Sequence, residues 1–224
     1  MIFDVNFALQ VLPLLAQAAV TTLWITLVSF FFAMLIGVPL LLLRRSYWIW
    51  FARITTAVVD FIRCTPLLVQ LYFLYFALPG FGISLSAGMT GVLTLSVHYG
   101  CYLSEVYRAG LEAVAKGQWD ACTALGFSRF ETYRGIILPQ AFQPVIPAAG
   151  NYLVHMFKET PLLASISVVE MMFVSAEIGA DRFRYLEPVT LCGLLFLVMS
   201  LAAARLIRMV EAAYGRNWKR AWKV

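Results

Sequence analysis

The sequence predicts an all-α, polytopic membrane protein with about five transmembrane helices, its N-terminus outside and its C-terminus in the cytoplasm. Three observations predict it. Hydrophobic residues make up 62% of the 224-residue chain, where a soluble domain holds about 45–50%. Charged residues are only 13%, about half the usual share. The apolar residues are gathered into runs close to the roughly 20 residues that a bilayer crossing needs. One soluble core cannot hide this much apolar surface, so lipid is its natural solvent.

The runs can be taken in order. From Val5 to Leu43 there is no charged residue. That is more than one crossing and too little for two with a turn, so we expect a short interfacial segment near residues 3–12 and a long first span over 14–43. The second run covers 54–78 and carries Asp60 and Arg63 in its first half. Pro79-Gly80-Phe81-Gly82 ends it, because Pro and Gly do not continue a helix cheaply. A third span is expected over 87–108, a fourth over 141–169 and a fifth over 188–214. No internal repeat, low-complexity stretch or linker interrupts the chain, which reads as one transmembrane domain, 1–224.

Lys and Arg set the orientation. Arg44, Arg45 and Arg53 follow the first span. Arg108, Lys116, Arg129 and Arg134 lie between the third and fourth. Arg205, Arg208, Arg216, Lys219, Arg220 and Lys223 follow the fifth. These are 13 of the 17 basic residues, and the opposite face has only Arg182 and Arg184. Positive loops stay in the cytoplasm, so the C-terminus lies there. The net charge of +5 therefore reflects topology, and no nucleic-acid partner is expected. Nor is a cleavable signal peptide, since the first apolar stretch is too long and no basic segment precedes it. Cys64, Cys101, Cys122 and Cys192 are scattered through apolar or helical stretches, and His98 and His155 share no ligand spacing, so no disulfide framework or metal site is expected.

The longest polar segment, about 109–140, lies between the third and fourth spans and is expected in the cytoplasm. Gln118 to Leu125 tolerates a helix, and Gly126 stands where a C-cap glycine would. Ser128 and Glu131 make an S-x-x-E capping box for a second short helix. Phe130, Tyr133 and Ile137 recur along it at helical spacing, and Pro139 leads into the next span. Two short helices at a tight turn, with an aromatic stripe, make a rigid knob. On periodicity alone they could equally lie flat on the bilayer surface.

The exact string resembles the cytoplasmic motif of the permeases of ABC importers: E-A-A, three residues, Gly, nine residues, then I-x-L-P. Here Asp120-Ala121-Cys122 stands at E-A-A, Gly126 follows Thr123-Ala124-Leu125, and Ile136-Ile137-Leu138-Pro139 closes the motif. Further segments resemble the polar amino-acid branch, the histidine and glutamine permeases among them. Asp60 to Gln70 is similar to E-x-x-R-G-T-P-L-L-V-Q, with Asp60 for Glu and Cys64 for Gly. Tyr102-Leu103-Ser104-Glu105-Val106-Tyr107-Arg108 resembles A-Y-x-x-E-x-x-R. Lys116-Gly117-Gln118-Trp119 matches K-G-Q-W, and Phe157-Lys158-Glu159-Thr160-Pro161-Leu162 resembles L-K-D-T-S-L. The likeness runs from about 14 to 215.

The resemblance implies an import subunit of the bacterial cytoplasmic (inner) membrane. Its substrate would have amino-acid character and arrive on a periplasmic solute-binding protein. The loop, through Gln118, Trp119, Asp120, Ala121, Leu125, Gly126, Phe127, Phe130, Tyr133 and Pro139, would dock into a dimer of ATP-hydrolysing subunits. No Walker A loop occurs in the chain, so ATP and Mg are expected on that partner and no cofactor on this chain. Five spans are too few to enclose a pathway, so a second permease subunit, identical or paralogous, is expected.

Ionisable groups at membrane depth are costly and mark pathways by default. Arg63 and Glu159 could face the carboxylate and ammonium of a zwitterion. Asp60 with Arg63, and Glu105 with Arg108, are equally three apart, a spacing that suits structural ion pairs near the cytoplasmic ends. Thr65, Gln70, Tyr99, Tyr102, Glu105 and Lys158 complete the candidate lining, with packing as the alternative for the tyrosines and Gln70. An intramembrane enzyme would need a catalytic pair in facing spans, and none is legible. A secondary transporter or channel would leave the loop without a docking role.

Overall fold

The structure is a computed structural model that describes the backbone of residues 3–221 and the side chains of 3–215. Lys223 and the side chains of Arg216, Lys219 and Arg220, counted above as cytoplasmic charges, lie outside the described residues. Those residues are helical with irregular connections, and no strand occurs among them.

The first helix, α1, runs unbroken over Val5–Arg44, through Pro13 and Pro39. The interfacial segment expected at 3–12 is thus continuous with the first span's helix from Val5 on. Asp4 caps it by accepting from the N–H groups of Asn6 and Phe7. Nothing polar then interrupts the backbone ladder, and membrane helices tolerate an internal Pro. At about 1.5 Å per residue its 40 residues reach about 60 Å, twice the hydrocarbon thickness.

Helix α2, Ile49–Cys64, and helix α3, Leu67–Tyr72, stand where one span over 54–78 was expected, and they meet at 103°. Pro66 is the cause. It removes an N–H and forces Thr65 out of the helical region, to φ −101°, ψ 142°. The carbonyls so freed are satisfied locally. The Gln70 amide donates to the Ile62 carbonyl at 2.7 Å and the Thr65 carbonyl at 3.2 Å, and the Thr65 hydroxyl donates back to Phe61 at 2.9 Å. A π turn, Phe73–Ala77, and a 3-10 turn, Leu78–Phe81, end at Gly82, whose φ of +82° favours glycine.

Helix α4, Ala87–Glu112, is the centre of the bundle. It packs against α1 through small residues, as membrane helices do. Gly37 lies against Leu103 and the Ser104 backbone, and Gly100 against Ile36. Helix α5, Lys116–Ala124, and helix α6, Arg129–Glu131, form the cytoplasmic loop. A π turn, Thr132–Ile137, carries α6 directly into helix α7, Leu138–Glu159.

The fourth span, expected to reach 169, leaves α-helical geometry after Glu159. Thr160-Pro161 opens a 3-10 segment over Thr160–Ile166, and Ser167 turns left-handed. Helix α8, Met171–Arg182, follows in the stretch between the expected fourth and fifth spans. It is too short and too polar to register as a crossing, and the buried Glu170 starts it by accepting from the Phe173 N–H. Helix α9, Leu186–Ala221, closes the fold. Among the described residues two helices, Val5–Arg44 and Leu186–Gly215, are long and apolar enough to cross a membrane alone, or up to four spans if each bent pair is one.

Candidate coupling knob and pathway residues

The knob is built by local rules. Leu125 ends α5, and Gly126 follows with φ +71°. The Gly126 N–H donates to the Thr123 carbonyl at 3.1 Å and the Phe127 N–H to the Cys122 carbonyl at 3.0 Å, a complete Schellman motif. Ser128 then opens α6 with the expected capping box. Its hydroxyl accepts from the Glu131 N–H at 3.3 Å, and the Glu131 carboxylate accepts from the Ser128 N–H at 2.9 Å and hydroxyl at 2.6 Å. The hydroxyl first, and the N–H after it, hold the Glu131 carboxyl below its usual range.

The aromatic stripe divides its work. Ile137 is fully buried in a cluster with Leu41, Leu111, Val114 and Ala141, which seats the knob on α1, α4 and α7. Tyr133 meets Trp119 edge-to-face at 5.4 Å, locking the π turn that follows α6 to α5. The Gln140 amide donates to Gln118 at 3.2 Å and ties α5 to α7. The tip is left outward: Leu125 is 71% exposed and Phe130 68%, with Phe127, Asp120 and Ala121 beside them. Arg134 lies over the Phe130 ring at 5.6 Å. Pro139 is half-buried, its carbonyl accepting from the Tyr214 hydroxyl at 3.0 Å.

Midway along α4 a second cluster forms. The Tyr99 hydroxyl donates to Glu159 at 2.6 Å, joining α4 to the end of α7. Tyr152 packs between Tyr99 and Tyr102, at 6.1 Å and 5.3 Å. Arg63 lies over the Tyr102 ring at 5.2 Å, and the Tyr102 hydroxyl donates to the Arg63 carbonyl at 3.1 Å. Arg63 and Glu159 thus stand on either side of one set of tyrosines.

Below that set, Glu105 gathers three arginines. Arg44 is at 2.5 Å, Arg63 at 3.3 Å and Arg108 at 2.8 Å, and Arg108 also pairs with Glu112 at 2.7 Å. The expected Glu105–Arg108 pair is present. The expected Asp60–Arg63 pair is the looser contact, at 3.8 Å. Thr65 and Gln70 sit at the α2–α3 break, where both amide functions of Gln70 are engaged, its oxygen with His98 Nδ1 at 3.1 Å. They hold the hinge. Lys158 is exposed and, as the neighbour of Glu159 on α7, stands about 100° round the helix from it. Sequence reasoning missed Tyr152, Arg44 and His98. Tyr152 had a usable signal, since it lies two helical turns before Glu159 on the same face.

Residues 35–216 match the model of the family described as binding-protein-dependent transport system inner membrane component. The chain belongs to that family. As an inner-membrane permease it has relatives along nearly its whole length. It is 40% identical over 208 residues to a probable amino-acid ABC transporter permease protein of Sinorhizobium fredii, covering 93% of this chain and 90% of the relative. It is 33% identical over 212 residues to the glutamine transport system permease protein GlnP of Escherichia coli K12, covering 93% of this chain and 96% of the relative. A solved amino acid ABC transporter with histidines superposes on the permease with a TM-score of 0.90 at 30% identity, covering 95% of this chain and all of that one. The all-α fold is therefore that of an ABC transporter permease.

Proposed function

We propose that this permease carries polar amino acids or related zwitterions as the transmembrane subunit of an ATP-binding-cassette importer. A periplasmic binding protein delivers the solute. A dimer of separate ATPase subunits supplies the energy, and a second permease subunit completes the pathway. The chain crosses the membrane five times, N-terminus outside, and residues 109–140 face the cytoplasm.

One observation carries this reading. The segment with E-A-A spacing folds as a rigid, doubly capped knob whose apolar tip stays exposed. An exposed Leu–Phe–Phe tip in water is a binding surface in need of a groove. A secondary transporter or channel would leave it unused. The substrate class rests on the glutamine and arginine permeases among the relatives, and on the opposite charges of Arg63 and Glu159 beside one tyrosine cluster.

Co-purification of the permease with its ATPase subunit tests the docking. Replacing both Phe127 and Phe130 with Ala should weaken the complex about 100-fold, from about 1.5 kcal/mol lost per ring. Unchanged binding would show that the knob docks nothing. The pathway is tested by Glu159→Gln, which should abolish uptake while the ATPase stays bound. Normal uptake in that variant removes Glu159 from the pathway.

A further inference from the structure

Helix α7 has one face unlike a lipid-facing helix. Asn151, His155 and Lys158 are spaced i, i+4, i+7, so they project from a single stripe, and all three are exposed. Towards the cytoplasm the same stripe continues through Ala148, Pro147 and Pro144, with no large apolar side chain. On α9, Leu194, Leu197, Val198 and Leu201 occupy a stripe of like spacing and are exposed as well. That is what contact with acyl chains looks like.

The depth of the α7 stripe is fixed by its neighbours. Glu159 is hydrogen-bonded to Tyr99, midway along α4, and Tyr152 packs between Tyr99 and Tyr102. Asn151, His155 and Lys158 are interleaved with these residues, so they lie near the same level. At the centre of a bilayer, an amide, an imidazole and an ammonium are not left against hydrocarbon. Beside the stripe, on the α4 side, stand Tyr152 and Glu159, then Tyr102 and Arg63 of α2. The imidazole of His155 reaches back to the Tyr152 ring at 6.4 Å.

We infer that Asn151, His155 and Lys158 line the aqueous pathway, with His155 and Lys158 positioned to take the carboxylate of the solute while Glu159 faces its ammonium. This rests on the amino-acid reading above and deepens it. The stripe supplies hydrogen-bond donors and a fixed positive charge, and the adjacent Glu159–Tyr99 pair supplies the negative end. His155 stands one turn of helix before Glu159 and Lys158 directly beside it in sequence, so a zwitterion passing along α7 would meet both charges.

The test needs no knowledge of the natural solute. Asn151→Cys is introduced with Cys64→Ser, which removes the one exposed native thiol. The permease, assembled with its ATPase, is treated with a sulfonate-bearing and a trimethylammonium-bearing thiosulfonate, each rate normalised to a free thiol in solution. Both reagents should react, and the sulfonate should be favoured about tenfold by the Lys158 charge nearby. Lys158→Gln with His155→Gln should erase or reverse that preference. Leu194→Cys, on the lipid stripe, should label with neither. The inference is overturned if the position 151 thiol is as unreactive as that at 194, or if the preference survives removal of Lys158 and His155. His155→Cys repeats the measurement should Asn151→Cys fail to assemble. Loss of ATPase binding in the unmodified permease would instead count against the importer reading.

Discussion

Gly126 is where the knob can be changed without touching its surface. Its φ is +71°, and a Cβ built on it would meet nothing within 4 Å. The cost of any other residue there is therefore purely conformational. For an alanine it is about 1 kcal/mol and for a β-branched residue about 2, while asparagine tolerates the left-handed region better. The Schellman bonds from Gly126 and Phe127 aim the Phe127 and Phe130 rings. A chain that relaxes out of this geometry presents a different tip, and docking must then supply the conformational cost. Dissociation constants should weaken by about 5-fold for Gly126→Ala and about 30-fold for Gly126→Val, with Gly126→Asn between glycine and alanine. The assay is titration of the permease, in lipid nanodiscs, with its ATPase subunit. Thermal unfolding of the permease should barely move, because the turn itself is exposed and the anchor at Ile137 is intact. If valine binds as tightly as glycine, or asparagine worse than alanine, the geometry of the turn does not govern docking.

Close packing of α4 on α7 should be equally sensitive. A Cβ on Gly110 would fall 2.3 Å from Val145 Cγ2 and 2.9 Å from the Ala141 carbonyl, so Gly110→Ala should cost about 1–3 kcal/mol in detergent unfolding, while Gly117→Ala, which meets nothing, should be neutral or slightly stabilising. Glu105→Ala leaves three arginines around an empty position and should destabilise by about 3 kcal/mol, and a loss below 1 would show that water, not Glu105, neutralises them. The Glu131 carboxyl lies below its usual value of 4.5 in the folded knob, so its contribution is complete above that pH and is lost as the pH falls through the lowered value. ATPase docking should accordingly be flat from pH 8 to 5 and weaken below 4.5, and Ser128→Ala should flatten that acid limb; a midpoint near pH 7 would implicate another group.

What the sequence shows plainly is what local rules control. The turn at Gly126 and the box at Ser128 and Glu131 need only their own neighbours, and both are present as read. Long apolar runs announce helices, but not where a helix ends within them. Pro13 and Pro66 are the same residue with opposite outcomes. Pro13 sits in an uninterrupted apolar helix and is absorbed, whereas Pro66 follows a threonine and precedes Gln70, which can satisfy the opened backbone. Only the fold brings those acceptors together. Charge pairing was legible at i, i+3 and blind across helices. Glu105–Arg108 follows from spacing, but Arg44 reaches the same carboxylate from another helix 61 residues away. Tyr152 went unread because a tyrosine in an apolar run looks like packing until its neighbours are known.

The connectivity of these two sites bears on how ATP hydrolysis on a partner docked at the knob would reach the solute. Between Arg129 and Glu159 the chain stays helical, since the π turn at Thr132–Ile137 passes into α7 with no loop between. A displacement of α6 is thus applied to one end of a rod whose other end carries Glu159. The second route runs from α5 across three residues to α4, which carries Tyr99, Tyr102 and Glu105. Both ends of the Tyr99–Glu159 hydrogen bond are therefore attached to the knob, by different helices. Moved together, the helices would carry the pair unchanged. Any rotation of the knob about its seat at Ile137 would move them by different amounts and shear the contact at the level of the tyrosine cluster. A single, stiff docking element is what such a differential motion requires, and the doubled capping of the knob supplies that stiffness.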